Sequence, residues 1–153
     1  MYNNKQKGNY RQNYNNNRNK QINFDEITIP LAKEYGNVSE VYLPNGKAYT
    51  IAEKLKNVPN HQIRKVLEQA KEAKRIIEYS QDDDALESAK KQLFMIVTMS
   101  AYNSGRMPAI KNLYDYLRNT ISQKTIVSKE DILVFDEVFT SIVAFHATLS
   151  NKR

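Results

Sequence analysis

Residues 59–80 read PNHQIRKVLEQAKEAKRIIEYS, and their apolar side chains fall at Ile63, Val66, Leu67, Ala70, Ala73 and Ile77. Spacings of three and four put all six on one face of an α-helix. Pro59 and Asn60 punctuate the chain and start that helix, which is expected to run to about Ser80. Upstream, Thr50 followed by Glu53 is a capping-box signal for a short helix through about Lys56. Downstream, Asp82, Asp83 and Asp84 could cap the next helix and favour its dipole, or form a metal cluster that would need further carboxylates.

A third helix is expected from about Asp84 to Asn103, with Leu86, Ala89, Leu93, Ile96 and Val97 inward and Gly105 just past its end. Pro108 suits the first turn of a fourth, whose buried face is Ile110, Leu113, Tyr114, Leu117 and Ile121. Ser128, Glu130 and Asp131 open the last helix, which reaches about Leu149. Its seam is Ile132, Phe135, Phe139, Ile142, His146 and Leu149, and Val138, Val143 and Phe145 widen the apolar arc to about half the circumference. So wide an arc implies several neighbouring helices or another protein, with Val138 and Phe145 as the candidate partner contacts. The expected fold class is all-α: a compact bundle of about five helices over residues 50–153, with a disordered N-terminal arm.

The arm is residues 1–22, where eight asparagines and three tyrosines surround Lys5, Lys7, Arg11, Arg18 and Lys20 with no acid. Such a segment buries too little apolar surface to offset the entropy of ordering it. It can serve solubility, or touch nucleic acid through cations for phosphates and tyrosines for stacking. Residues 23–49 form an irregular docking segment, with Phe24, Ile27, Ile29 and Leu31 available to pack on the body. Pro30 disfavours a helix there. Val41-Tyr42-Leu43 and Ala48-Tyr49 flank the turn Pro44-Asn45-Gly46, a signal for a small hairpin.

Of the net charge of +6, the arm holds +5; the other 131 residues carry 18 basic and 17 acidic side chains. A nucleic-acid site on the body must therefore come from sorting charges onto different faces. With no cysteine, disulfides, thiolate metal sites and thiol nucleophiles are excluded. The N-terminus lacks the apolar middle of a secretory signal, and the run Leu93–Met99 is too short to cross a bilayer, so a cytoplasmic protein is expected. The two histidines, His61 and His146, have no glycine-rich phosphate loop or thiol beside them, and His146 sits on a packing seam. No enzyme, cofactor or metal is expected.

The cations are more informative. Counting from Ile63, Arg64, Lys71 and Arg75 lie at about 100°, 80° and 120°, one row beside the buried stripe, with Arg64 and Arg75 about 16 Å apart along the axis. Lys111 and Arg118 repeat the arrangement on the fourth helix, with Arg106 just before it. Such rows can track phosphates. They can equally be solvated faces with local ion pairs: Arg64 with Glu68, Lys71 and Arg75 with Glu68 or Glu72, Arg118 with Asp115.

Three motifs bear on this choice. Asn60-His61-Gln62-Ile63-Arg64-Lys65, Ala101-Tyr102-Asn103-Ser104-Gly105-Arg106 and Ser141-Ile142-Val143-Ala144-Phe145-His146 resemble, in order and spacing, those of the small helical subunit of type III-A CRISPR (Csm) effector complexes. The resemblance covers roughly residues 50–150. It implies a non-catalytic helical bundle that stacks beside identical copies, contacts other Csm subunits, and lines the groove holding guide RNA and its paired target RNA in antiviral defence. Carried over by position, Gln62, Arg64 and Arg106 are the RNA-binding candidates; helical geometry adds Lys71, Arg75, Lys111 and Arg118. Pro59, Asn60 and His61 stand where that family usually has hydroxyl residues.

Two other classes compete. Thr50 to Gln69 can be read as a helix-turn-helix DNA-binding regulator, although Lys56-Asn57-Val58 stand where its turn favours glycine, and Gln62 where its second helix needs an apolar residue. A purely structural scaffold would leave the cationic rows in water.

Overall fold

In the computed structural model, which describes residues 22–150, every regular element is helical. In chain order these are α1 (Leu31–Glu34), α2 (Val38–Tyr42), α3 (Lys47–Lys54), α4 (Asn60–Tyr79), α5 (Ala85–Arg106), a 3-10 turn (Pro108–Ile110), α6 (Lys111–Thr120) and α7 (Lys129–Ser150). The arm expected over residues 1–22 lies outside the described residues, apart from Ile22.

The wide apolar arc of α7 is explained by its position. It packs against α3 and α4 along most of its length and touches α1, α2 and α5. Ile132, Phe135, Val138, Phe139, Ile142 and His146 are all buried. Val138 is therefore core, fully covered within the chain, and not the partner contact the sequence suggested. At 22 residues, with an 18-residue stretch of mean hydropathy 1.6, α7 has the length and apolarity of a membrane-crossing helix. Its seam, however, is filled by neighbouring helices and carries the buried carboxylates Asp131 and Asp136.

The second half of the body is a chain of pairs, α4 on α5 and α5 on α6. Ile63, Val66, Ala70 and Ala73 are buried on α4, as are Ala89, Leu93 and Ile96 on α5. On α6 the buried residues are Leu113, Leu117, Thr120 and also Tyr116, while Tyr114 is only half-buried. Tyr116 joins a ring cluster, its centroid 6.4 Å from Phe139 and 5.6 Å from Phe24, with Phe135 and Phe139 at 5.7 Å. Burying each large apolar side chain contributes about 1.5–3 kcal/mol before entropy is charged against it.

Two buried polar side chains tie the ends of the fold together. Asp131 Oδ1 accepts the Ala32 N–H at 2.9 Å, fixing α1, while Oδ2 accepts the Val127 and Ser128 N–H groups at 2.9 and 3.0 Å. The second half of that grip is the reciprocal arm of a capping box, an acid reaching back to the residue that opens the helix. His146 Nε2 lies 3.0 Å from both Leu55 O and Val58 O, so its single N–H bridges the two carbonyls of the α3–α4 turn.

Several local expectations are corrected. The hairpin over 41–49 is a helix pair: Asn37 caps α2 through the Glu40 N–H, and the turn Pro44-Asn45-Gly46 delivers the chain to α3. Asn45 takes the left-handed conformation at φ 70°. At Gly46 a β-carbon would come 2.6 Å from Glu40 O, so close backbone approach requires glycine there. Thr50 lies inside α3, its hydroxyl donating to Gly46 O at 3.0 Å, because the helix starts three residues before the expected cap. Gly105 lies in the last turn of α5 with open space around it, and Met107 ends the helix. Asp84 stands at the N-cap of α5 without a side-chain capping bond; its carbonyl accepts the Ser88 N–H.

Candidate nucleic-acid interface

The α4 row divides once its partners are in place. Arg64 is exposed and has no ion pair among the described residues. Lys71 turns toward α7: its ammonium stands 3.0 Å from Oδ1 of Asp136 and donates to Oδ2 and to Thr140 Oγ1, each at 3.1 Å. Lys74 approaches the same carboxylate at 3.8 Å. Asp136 is 2% exposed while the Lys71 side chain is 44% exposed, so this contact anchors a surface cation of α4 on a buried carboxylate of α7. Arg75 projects into solvent and shares Glu72 at 3.1 Å. The acid that engages Lys71 lies 65 residues away, not at Glu68 or Glu72.

Gln62 is mostly covered by its neighbours. It is 8% exposed, with its amide nitrogen 3.1 Å from His61 Nε2, and it lines a groove of about 680 Å³ between α4 and α5. Met95 and Met99 rim that groove. Lys65, a cation that the row geometry passed over, lies on its edge, exposed and without an ion pair among the described residues. Its place at about 200° from Ile63 by helical rotation was the available signal.

The other cations sit where α5 gives way to α6. Arg106 closes α5 with its guanidinium 5.8 Å from the centroid of the Tyr102 ring. Lys111 and Arg118 line one cleft of about 480 Å³ together with Ile22, Asn23, Phe24 and Tyr114. Arg118 is held over Tyr114 at 5.6 Å and lies 3.7 Å from Asp115. Arg106 and Lys111 are exposed and make no ion pair among the described residues. The structure thus brings Lys111 and Arg118 together, pairs the exposed Lys71 with a buried carboxylate, and largely covers Gln62. Arg64, Lys65, Arg106 and Lys111 are left able to meet phosphates.

Phe145 is half-buried and meets the Tyr49 ring edge-on at 5.4 Å, so part of its surface is used within the chain. No group of three or more His, Cys, Asp or Glu side chains among the described residues could hold a metal ion. The shifted tyrosines belong to packing. Burial pushes the Tyr35 and Tyr116 hydroxyls well above the usual tyrosine range, and burial with the neighbouring Glu137 carboxylate pushes Tyr42 up to about 12.

Residues 40–152 match the Csm2 Type III-A family, and they include all the helical hairpins that carry these cations. The chain belongs to the Csm2 family. It is a small subunit of the type III-A CRISPR effector class, as the three motifs suggested. No curated protein and no solved structure matches the chain. The Csm2 match begins inside α2, so residues 22–39, which supply the core residues Leu31 and Tyr35, lie outside it.

Proposed function

We propose that this chain is a non-catalytic subunit that lies along the guide RNA and its paired target in a cytoplasmic type III-A effector, holding their backbones with Arg64, Lys65, Arg106 and Lys111. The observation that carries this is that these four cations, three of them within the family-like motifs and Lys111 in the cleft at the start of α6, are exposed and have no carboxylate partner among the described residues. Arg75 and Arg118, each beside one acid, contribute less. A charge-tracking surface of this kind reads no sequence, since phosphate contacts position without specifying. Other Csm subunits and neighbouring copies of the chain would align these surfaces, so that weak contacts add along one RNA. Phe145 and the exposed Val38, Leu43 and Val127 are apolar contacts available to such neighbours.

A helix-turn-helix regulator fits less well, because α3 and α4 pack on α7 more than on each other. The test is a salt titration of RNA affinity for assembled complexes carrying wild-type or Arg64→Ala/Arg106→Ala/Lys111→Ala subunit. Each lost contact should lower the salt slope of log affinity by about 0.7 to 0.9, equally for unrelated sequences. An unchanged slope and affinity would remove RNA from this surface.

A further inference from the structure

Four contacts between a cation and an aromatic face occur among the described residues, and three are structural. Lys47 over Tyr35 donates to Glu34 O, and Tyr35 is buried. Lys54 over Phe24 donates to Asn23 O at 2.8 Å. Arg118 over the half-buried Tyr114 lies beside Asp115. The fourth, Arg106 over Tyr102, alone combines an exposed ring with an exposed cation that has no ion pair among the described residues. The ring is 62% exposed, the guanidinium is exposed, and no carboxylate among the described residues engages it.

The setting of this pair is also unusual. Met95, Met99, Tyr102 and Arg106 fall within an arc of about 60° on α5, by 100° per residue, and make one stripe toward the end of the helix. Met95 and Met99 are 47% and 53% exposed. A phosphate would require the arginine alone. An exposed ring with a guanidinium over one face offers something more, a second flat apolar face open beside a cation. Base stacking on such a face tolerates any of the four bases. It requires that the base be out of the helical stack, because paired bases already cover one another.

We infer that Tyr102 is a base-stacking residue, taking one unpaired RNA base on its open face while Arg106 holds the adjoining phosphate. This rests on the RNA-lining function proposed above and deepens it: the ligand at this end of α5 is an unpaired nucleotide, not the backbone of a continuous duplex. The contact is sequence-tolerant but selective for strand state.

The test uses assembled complexes carrying wild-type, Tyr102→Leu, Tyr102→Trp or Arg106→Ala subunit, and two RNA probes: a single strand containing 2-aminopurine, and the same strand fully paired. Tyr102→Leu should weaken binding of the single strand by about 5- to 150-fold. Because no charge is lost, its salt slope should stay parallel to wild type, and binding of the paired probe should not change. Tyr102→Trp should retain wild-type affinity and 2-aminopurine quenching. If Tyr102→Leu leaves single-strand affinity intact while Arg106→Ala lowers both affinity and slope, stacking is wrong and the backbone reading stands. If neither substitution matters, both fall at this site. If Tyr102→Leu instead reduces incorporation of the subunit, the stripe is a protein contact and the inference is overturned.

Discussion

Lys71 on α4 and Asp136 on α7 stand 3.0 Å apart, and this contact ties the middle cation of a surface row to a buried carboxylate. Asp136 is almost wholly buried, so it depends on Lys71, with Lys74 as a more distant second cation. Lys71→Ala should therefore lower stability, by about 1–3 kcal/mol, since a buried charge loses its nearest donor while Lys74 keeps part of the compensation. Arg75→Ala, at an exposed pair, should change stability by less than about 0.5 kcal/mol. Denaturant unfolding of the two variants checks the contrast. Equal stabilities would mean that the contact between Lys71 and Asp136 contributes nothing to stability.

His146 makes a comparable link at the opposite end of α7, bridging Leu55 O and Val58 O. Replacing it with phenylalanine keeps a ring in the core but leaves both carbonyls without that donor. The expected loss is about 2–4 kcal/mol, combining a Val58 carbonyl left unpaired, since Leu55 O still accepts the Val58 N–H at 2.9 Å, with imperfect packing. Glutamine, whose amide can donate, should lose less. The relevant measurement is the urea midpoint of each variant, and a phenylalanine variant as stable as wild type would deny the bridge any energetic role.

Much of the fold could be read from the chain because its long helices are bounded by strong local signals. Ile63, Val66, Ala70 and Ala73 advertise the buried face of α4, and Pro59 marks its start. The short helices were less legible: α1 is one turn long and presents no repeat, although Asn37 three residues before Glu40 was a usable cap signal for α2. The site was legible only in part, for a physical reason. Rotation about a helix axis shows which cations share a side, but not what stands across from them. Lys71 meets an acid far along the chain, and Val138 faces helices that its own periodicity cannot reveal. Arg64 and Arg106 kept their exposed positions because nothing distant covers them.

Two glycines give opposite expectations. Gly105 is helical with no atom near its missing β-carbon, so Gly105→Ala should stabilise the protein by about 0.5–1 kcal/mol through helix propensity. Had it been the left-handed residue that ends the helix, the same change would destabilise it. Gly46→Ala should cost more than about 1 kcal/mol, because its new methyl meets backbone oxygens of Glu40 and Leu43 that cannot swing aside. Thermal melts of the pair test both signs.

Alkaline pH should weaken the fold, and the buried tyrosines determine the direction. Tyr35, Tyr42 and Tyr116 all have hydroxyls raised above the ordinary value of 10.0, Tyr35 and Tyr116 mainly by burial and Tyr42 by burial and Glu137. Tyr116 Oη is fully enclosed, beside the Tyr35 and Thr120 hydroxyls but without a well-formed hydrogen bond to either. In the unfolded chain these groups release their protons near pH 10, while in the folded chain they hold them, Tyr42 to about 12. Above pH 10 the native state therefore binds more protons than the unfolded state, and stability falls as pH rises. Below pH 10 their contribution is fully present and flat. Urea midpoints should thus be constant with respect to these groups from neutrality to about pH 9 and decline steeply by about pH 11. The double variant Tyr35→Phe/Tyr116→Phe removes the two most buried hydroxyls, so its decline between those pH values should be shallower than wild type. Parallel declines would mean that the buried hydroxyls of the ring cluster do not govern alkaline unfolding.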